Sequence, residues 1–187
     1  SKDKTILNQL KMKIDKVRFE GYTKEKLKTS LIGIIKKGSL IDKVKEGEDA
    51  KFILTSTPFY PEGGGQIGDR GKIFTEDSQA EVMDTQKFSN NIILHYVKVK
   101  RGEFRKGDEL TAYIDIDRRK KISRSHTSTH LLQASLRKVL GKGVKQSGSL
   151  VEEEKLRFDF THPYPLTKDE LRKVSFLLNE KIREDLQ

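Results

Sequence analysis

The chain has 187 residues, and 38 Lys+Arg against 28 Asp+Glu give it a formal net charge of +10. That length suits one domain or two small ones. No apolar run approaches the ~18 residues of a membrane-spanning helix, no stretch reads as a signal peptide, and the absence of Cys excludes disulfides and a Cys-rich zinc site within the chain.

The elements follow in chain order. Residues 1 to about 16 read as a helix, with Ile6, Leu7, Leu10, Met12 and Ile14 interleaved with charged residues. Residues 17–22 read as a strand-like turn, and the Lys-rich stretch after them as irregular or briefly helical. Leu31-Ile32-Gly33-Ile34-Ile35 is β-rich and ends at Gly38. Strands are expected near 39–44, 50–55, 71–75, 79–88, 92–99 and 109–116, separated by turn residues at short intervals. Six strands packed so closely would leave exposed edges unless the sheet closes, so a small barrel is expected. At Asp117 the apolar period changes from two to 3.6, predicting a helix over 118–140 with Ile122, Thr129, Leu132, Leu136, Val139 and Leu140 on one stripe and Gly141 and Gly143 at its end. A hairpin is expected from 144–151 and 155–160, broken by Pro163 and Pro165. Thr167 with Glu170 forms a capping-box signature that opens a last helix through Leu171, Val174, Phe176, Leu177, Leu178 and Ile182. Both ends of the chain read as cut, the expectation for a piece of a larger protein.

The fold class expected is therefore α+β: a linker with an N-terminal helix over 1–38, a six-stranded barrel over 39–116, and a partial α+β domain over 117–187. The positive charge suits a polyanionic partner, since Lys and Arg gain affinity by releasing counterions from phosphates. The lysines are spread along the chain, which is the mark of a surface field and not of a disordered arm.

Three stretches carry candidate chemistry. His126-Thr127-Ser128-Thr129-His130 sets two imidazoles four residues apart on a helix, on one side and one turn from each other, where both reach one ion. No Glu lies in the metalloprotease position between them, and two ligands alone do not make a catalytic zinc site. Residues 58–71 hold Gly63-Gly64-Gly65 followed by Gln66 and flanked by Phe59 and Tyr60. Consecutive glycines permit positive φ and a close backbone approach to a ligand. The pattern does not match a nucleotide-binding phosphate loop. Gln146-Ser147-Gly148-Ser149 follows the His-bearing helix by one turn, so Gln146 is able to point back at the His pair. In Leu156-Arg157-Phe158-Asp159-Phe160 the apolar residues share one face and Arg157 lies on the other, where it suits a phosphate. His95 and His162 have no visible partner and read as structural.

These motifs occur in one order with compatible spacing. With Phe19-Glu20-Gly21-Tyr22, Thr57-Pro58-Phe59-Tyr60, Gly64 through Asp69, Asp84-Thr85-Gln86-Lys87, Ser125 through Leu132, Gln146 through Leu150 and Leu156 through His162, the sequence resembles the bacterial alanyl-tRNA synthetases over nearly its whole length. In that family this stretch lies after the aminoacylation core and comprises a linker, a translation-factor-like barrel with the Gly-rich motif, and the first half of the editing domain. The resemblance implies hydrolysis of tRNA(Ala) mischarged with serine or glycine. It implies a zinc ion held by His126 and His130 plus a later Cys-x-x-x-His pair beyond Gln187, so the zinc site is incomplete here. It implies Gln146, Thr127 and Thr129 as editing-pocket residues, and Gly64, Gly65, Gln66 and Arg157 as substrate- or tRNA-binding ones. ATP and Mg belong to the aminoacylation domain, which this sequence lacks. The partner implied is tRNA(Ala), with no membrane and no disulfide-linked partner, and the compartment is the cytoplasm. A free-standing alanyl-tRNA editing hydrolase and a non-catalytic tRNA-binding module are the alternatives.

Overall fold

The structure, a computed structural model, describes residues 17–89 and 92–185. The helix expected over residues 1–16 lies outside the described residues, as do Asn90 and Asn91 of the expected turn.

Two compact units divide the described residues: those up to 63 together with those from 68 to 118, and residues 64–67 together with those from 119 onward. The first is built on β1 (Arg18–Phe19), β2 (Lys26–Lys36), β3 (Ser39–Ile41), β4 (Lys43–Lys45), β5 (Asp49–Leu54), β6 (Ser56–Thr57), β7 (Gly71–Phe74), β8 (Gln79–Ser89), β9 (Ile92–Arg101), β10 (Glu103–Arg105) and β11 (Glu109–Ile114). The order β11-β7-β8-β9-β5-β2 returns to β11 through antiparallel pairing of Glu109 with Ser30 and Tyr113 with Lys26, so six strands close into a barrel. Closure leaves none of the six with an unpaired edge along its whole length, as the strand density requires. β3 extends from β2, and two small ladders, β1 with β6 and β4 with β10, lie outside the ring.

Residues 26–30, expected to be irregular, are barrel strand. Lys26-Leu27-Lys28-Thr29-Ser30 alternates in period two, with Leu27 and Thr29 buried and the lysines outward. The barrel sheet thus includes residues upstream of 39. The alternation carries only one strongly apolar residue, so it is nearly silent as a hydrophobic signal, and pairing to β11 fixes it. The strand expected over 39–44 is two short strands, each paired to a different partner.

The barrel interior is filled by Leu31, Ile34, Phe52, Leu54, Ile73, Ala80, Val82, Val97, Val99, Leu110, Ala112 and Ile114, with Phe52 meeting Phe104 edge-on at 5.3 Å between centroids. A second cluster of Val17, Ile35, Ile53, Ile92, Ile93 and Leu94 covers the outside of β2, β5 and β9. At Leu31–Ile35, Phe52–Leu54 and Ile92–Leu94 these strands are buried on both faces, and there their sequences run apolar without alternation.

The second unit holds α1 (Ile116–Leu140, from residue 119 onward), the hairpin of β12 (Lys145–Val151) and β13 (Leu156–Thr161), and α2 (Lys168–Asp185). Its core is small: Leu136, Val144 and Val174 are buried, with Leu132, Val139, Leu140, Phe158, Phe160 and Leu166 packed around them. α2 opens as expected, the Glu170 N–H bonding to the Thr167 hydroxyl at 3.2 Å and the Glu170 carboxylate accepting from the Thr167 N–H at 2.8 Å. Of its apolar residues Val174 is buried, while Leu171 and Phe176 are exposed. No helix among the described residues is long and apolar enough to cross a membrane.

Candidate functional site

α1 starts where Asp115 accepts a hydrogen bond from the Arg118 N–H at 3.0 Å, an N-cap two residues ahead of the position the period change marked. It ends at Gly141, whose φ of 95° lets its N–H reach the Arg137 carbonyl at 3.0 Å. In between, His126 and His130 lie one turn apart with ring centroids 4.9 Å from each other and planes inclined by 37°. His126 is half-buried and His130 exposed. The hydroxyls of Thr127, Ser128 and Thr129 donate to the carbonyls four residues back, Ser123, Arg124 and Ser125, at 3.2, 3.0 and 3.0 Å. Thr127 is exposed and keeps its acceptor lone pairs for a solute. Thr129 is buried, on the core stripe that the 3.6 period assigned it.

The His pair offers two imidazole ligands on one side of a helix. Zinc takes four protein ligands in a structural site and three with an open position in a catalytic one. Among the described residues no group of three or more His, Cys, Asp or Glu is placed to hold a metal ion. These residues therefore do not by themselves fit a zinc site.

The Gly-rich segment leaves the barrel after β6 and returns at β7. Its base is pinched shut: the Tyr60 N–H donates to the Asp69 carboxylate at 2.7 Å, the Asp69 N–H to the Tyr60 carbonyl at 2.9 Å, and the Thr85 hydroxyl to the Asp69 carbonyl at 2.9 Å. Gly68 lies flat on β8, where a Cβ would run into the Thr85 carbonyl. Arg118, also buried, donates from Nη1 to the Gly68 carbonyl at 2.8 Å. The sequence reading missed Arg118. The available signal was the Asp-x-Asp-Arg step from strand to helix, where a charge is carried into the barrel's end.

Beyond the pinch, residues 64–67 belong to the second unit. The Gly65 carbonyl accepts from the Val151 N–H at 2.8 Å, and Gln66 bridges Val151 in parallel. Gly65, at φ 82°, sits so close to Ser149 that a Cβ there would overlap the Ser149 hydroxyl. The close approach that these glycines permit is thus made to strand β12, not to open solvent. Gly64, at φ 62°, has nothing within 4 Å of where its Cβ would be.

Gln146 lies toward the other end of β12, five residues from Val151 and about 17 Å away at strand rise. Its side chain is exposed, and a bulge follows it before Gly148. Among the described residues its amide has no hydrogen-bond partner. Arg157, on β13, is exposed and holds Asp159 through Nε at 3.1 Å. The structure therefore gathers Gly65, Gln66, Ser149 and Val151 in one place, joins His126 to His130, and leaves Gln146 at a distance along its strand from the loop.

The two histidines read as structural differ. His95 is fully buried in the barrel, its Nδ1 at 3.0 Å from the Phe52 carbonyl and its Nε2 at 2.7 Å from the Thr57 hydroxyl. A carbonyl only accepts, so Nδ1 carries the proton and Thr57 donates to Nε2. Thr57 in turn accepts from the Phe59 N–H at 3.1 Å, which orders the entry to the Gly-rich loop. Burial pushes the His95 pKa down to about 4, against the smaller upward pull of the Phe52 bond. His162 has Nδ1 at 2.7 Å from the Tyr164 carbonyl.

Residues 1–118 match the family described as tRNA synthetases class II (A). The match ends at the residue that closes the barrel unit. The chain is also similar to the alanine–tRNA ligase of Carboxydothermus hydrogenoformans, 43% identical over 181 residues, which is 97% of this chain and 21% of that protein. It is 44% identical over 172 residues to the alanine–tRNA ligase of Geobacillus kaustophilus, covering 92% of this chain and 19% of that protein. The alanine–tRNA ligase of Petrotoga mobilis is 38% identical over 182 residues, 97% of this chain and 21% of the relative. The chain spans about a fifth of the length of these relatives.

Proposed function

The chain belongs to the family of class II (A) tRNA synthetases, and from that premise we propose that it is a segment of a cytoplasmic alanine–tRNA ligase that binds tRNA(Ala) and takes part in hydrolysing tRNA(Ala) wrongly joined to serine or glycine. Joining alanine to tRNA with ATP and Mg is the work of another part of such an enzyme, and none of the residues above is assigned to it. The observation that supports the editing reading is the His126–His130 pair, two imidazoles 4.9 Å apart on one side of α1. In this reading they are two of the ligands of a zinc ion, and its other ligands come from outside the described residues. An aminoacyl ester is already activated, so a positioned water and a polarised carbonyl suffice to cleave it.

The chain's own polar residues divide the remaining work. Gln146 has a free amide that both donates and accepts, the chemistry needed to satisfy a serine hydroxyl that alanine lacks. Thr127 adds an exposed acceptor on the helix that carries the pair. Gly65 and Gln66 hold β12 in place through Val151, and Arg157 faces solvent with a guanidinium suited to phosphate. A non-catalytic tRNA-binding module is the second reading, favoured by the net charge of +10.

The test joins zinc content to deacylation. The 187-residue chain should keep little zinc after dialysis and leave Ser-tRNA(Ala) intact. A chain lengthened to include the further ligand pair should hold zinc and release serine. In it, His126→Ala and His130→Ala should each lose zinc and at least tenfold in rate. Gln146→Ala should keep zinc while its preference for serine over alanine falls. Full activity in His126→Ala would sink the metal assignment. Binding of tRNA without hydrolysis in the lengthened chain would leave the binding module as the function.

A further inference from the structure

The outside of the barrel is not uniform. Where β2, β5 and β9 carry the outer apolar cluster it is covered, but across the start of β2, β11 and β7 it is open and basic. β11 is the middle strand of these three. Tyr113 stands directly between Lys26 on β2 and Lys72 on β7, and Thr111 between Lys28 and Phe74. All six residues lie on outward positions, with Lys26, Lys28, Lys72 and Tyr113 exposed, Tyr113 at 38%. The Lys26 ammonium lies 5.5 Å from the centre of the Phe74 ring, within cation–aromatic range.

The charges here are uncompensated. Lys36, Lys98 and Lys100, elsewhere on the barrel, are paired to Glu48, Asp49 and Glu81. Lys26, Lys28 and Lys72 have no carboxylate within ion-pair distance among the described residues. The acidic groups bordering the patch are Glu25, next to Lys26; Glu109, whose carboxylate accepts from the Ser30 hydroxyl; and Glu81, opposite Lys72 and held by Lys100 at 2.9 Å. Three cations around a flat aromatic ring match one class of partner by charge and shape: an unpaired stretch of RNA, which offers a phosphate line and free base faces. A duplex offers the phosphates but keeps its bases stacked.

We propose that this face of the barrel binds unpaired RNA, a base stacking on Tyr113 while Lys26, Lys28 and Lys72 contact phosphates. The inference rests on the tRNA reading above and names the surface responsible. Binding is measured for a tRNA(Ala) transcript, an unstructured 12-nucleotide RNA and a duplex RNA, as a function of salt. In Lys26→Ala/Lys72→Ala, affinity for the unstructured RNA should fall about tenfold at low salt, and the salt slope should drop by about 1.4, the share of two phosphate contacts on a single strand. Tyr113→Ala should lose about fivefold, the low end of stacking on one base, with the slope unchanged. Tyr113→Phe should bind as the parent does, and Lys43→Ala/Lys45→Ala, an equal charge change on β4, should stay within twofold. Circular dichroism checks that each variant is folded. If the patch variants bind like the Lys43/Lys45 control while the parent binds tRNA, the platform is overturned and the tRNA reading stands. If the parent binds no tRNA, both fall. Equal losses on duplex and unpaired RNA would overturn the stacking role.

Discussion

The barrel and the second unit are close in sequence composition but differ in how they solve burial. The barrel buries Phe52, Phe59 and Phe104 in one cluster with aliphatic residues from all six strands of the ring, and it covers part of its own outside with a second apolar cluster. The second unit has one small apolar cluster around Leu136, Val144 and Val174, and it leaves Leu171 and Phe176 of α2 in solvent. A closed sheet has a fixed interior that its own alternate residues fill. A helix pair on a two-stranded hairpin has only one shared face, so its core stays thin. α1, which carries the His pair, enters this thin core through Leu132, Leu136, Val139 and Leu140.

The largest effect that would test this comparison is a cavity in each core. Phe52→Ala should cost the barrel about 4 kcal/mol, whereas Leu136→Ala should cost the second unit about 2, because a thin core relaxes into the space. Urea unfolding followed by tyrosine fluorescence and circular dichroism measures both. Equal costs would show that the second unit is as tightly packed as the barrel.

Next in size is a pH effect confined to the barrel. His95 binds its proton with a pKa of about 4 in the folded chain, below the ordinary 6.5 of the unfolded one. The unfolded state therefore holds more protons between those values, and stability falls as pH drops through that window, by about 3 kcal/mol in total. Above pH 6.5 the imidazole is neutral in both states and contributes no slope. His95→Gln should be less stable than the parent at pH 7 but show a flatter profile from pH 6.5 to 4. An unchanged slope in that variant would mean that the acid sensitivity lies elsewhere.

The smallest effect belongs to the second unit. Thr167→Ala removes the hydroxyl that caps α2 and should cost about 1 kcal/mol. It also removes the weaker of the two Thr167 groups that hold the Glu170 carboxyl below its usual range, while the stronger, the backbone N–H, stays in place. Amide exchange in the first turn of α2 should quicken, and the barrel should be unaffected.

Much of the fold could be read in advance where the local signal and the final environment agree. The five barrel strands from 49 to 114, the helix to Gly141 and the capping box at Thr167 each satisfy a short-range rule that tertiary contacts then reinforce, whereas the short β6 and β10 were not expected. The site was legible as residue types: His126 and His130 do face each other, because spacing on a helix fixes side. The use made of Gly65 was not. Its positive φ followed from sequence, but the group it approaches, Ser149, is 84 residues away and carries no local mark.

The sequence by itself determined the periods, the turns, the cap and the pairing of two imidazoles, since each depends on residues within one or two turns of backbone. Only the tertiary structure decided that residues 26–30 are barrel strand, that His95 is neutral with Thr57 and Phe52 as partners, and that Tyr113 stands between Lys26 and Lys72. The reason is the same in each case. Strand closure brings together segments whose side chains have no short-range interaction, so the environment of each depends on a partner that its own neighbours do not specify.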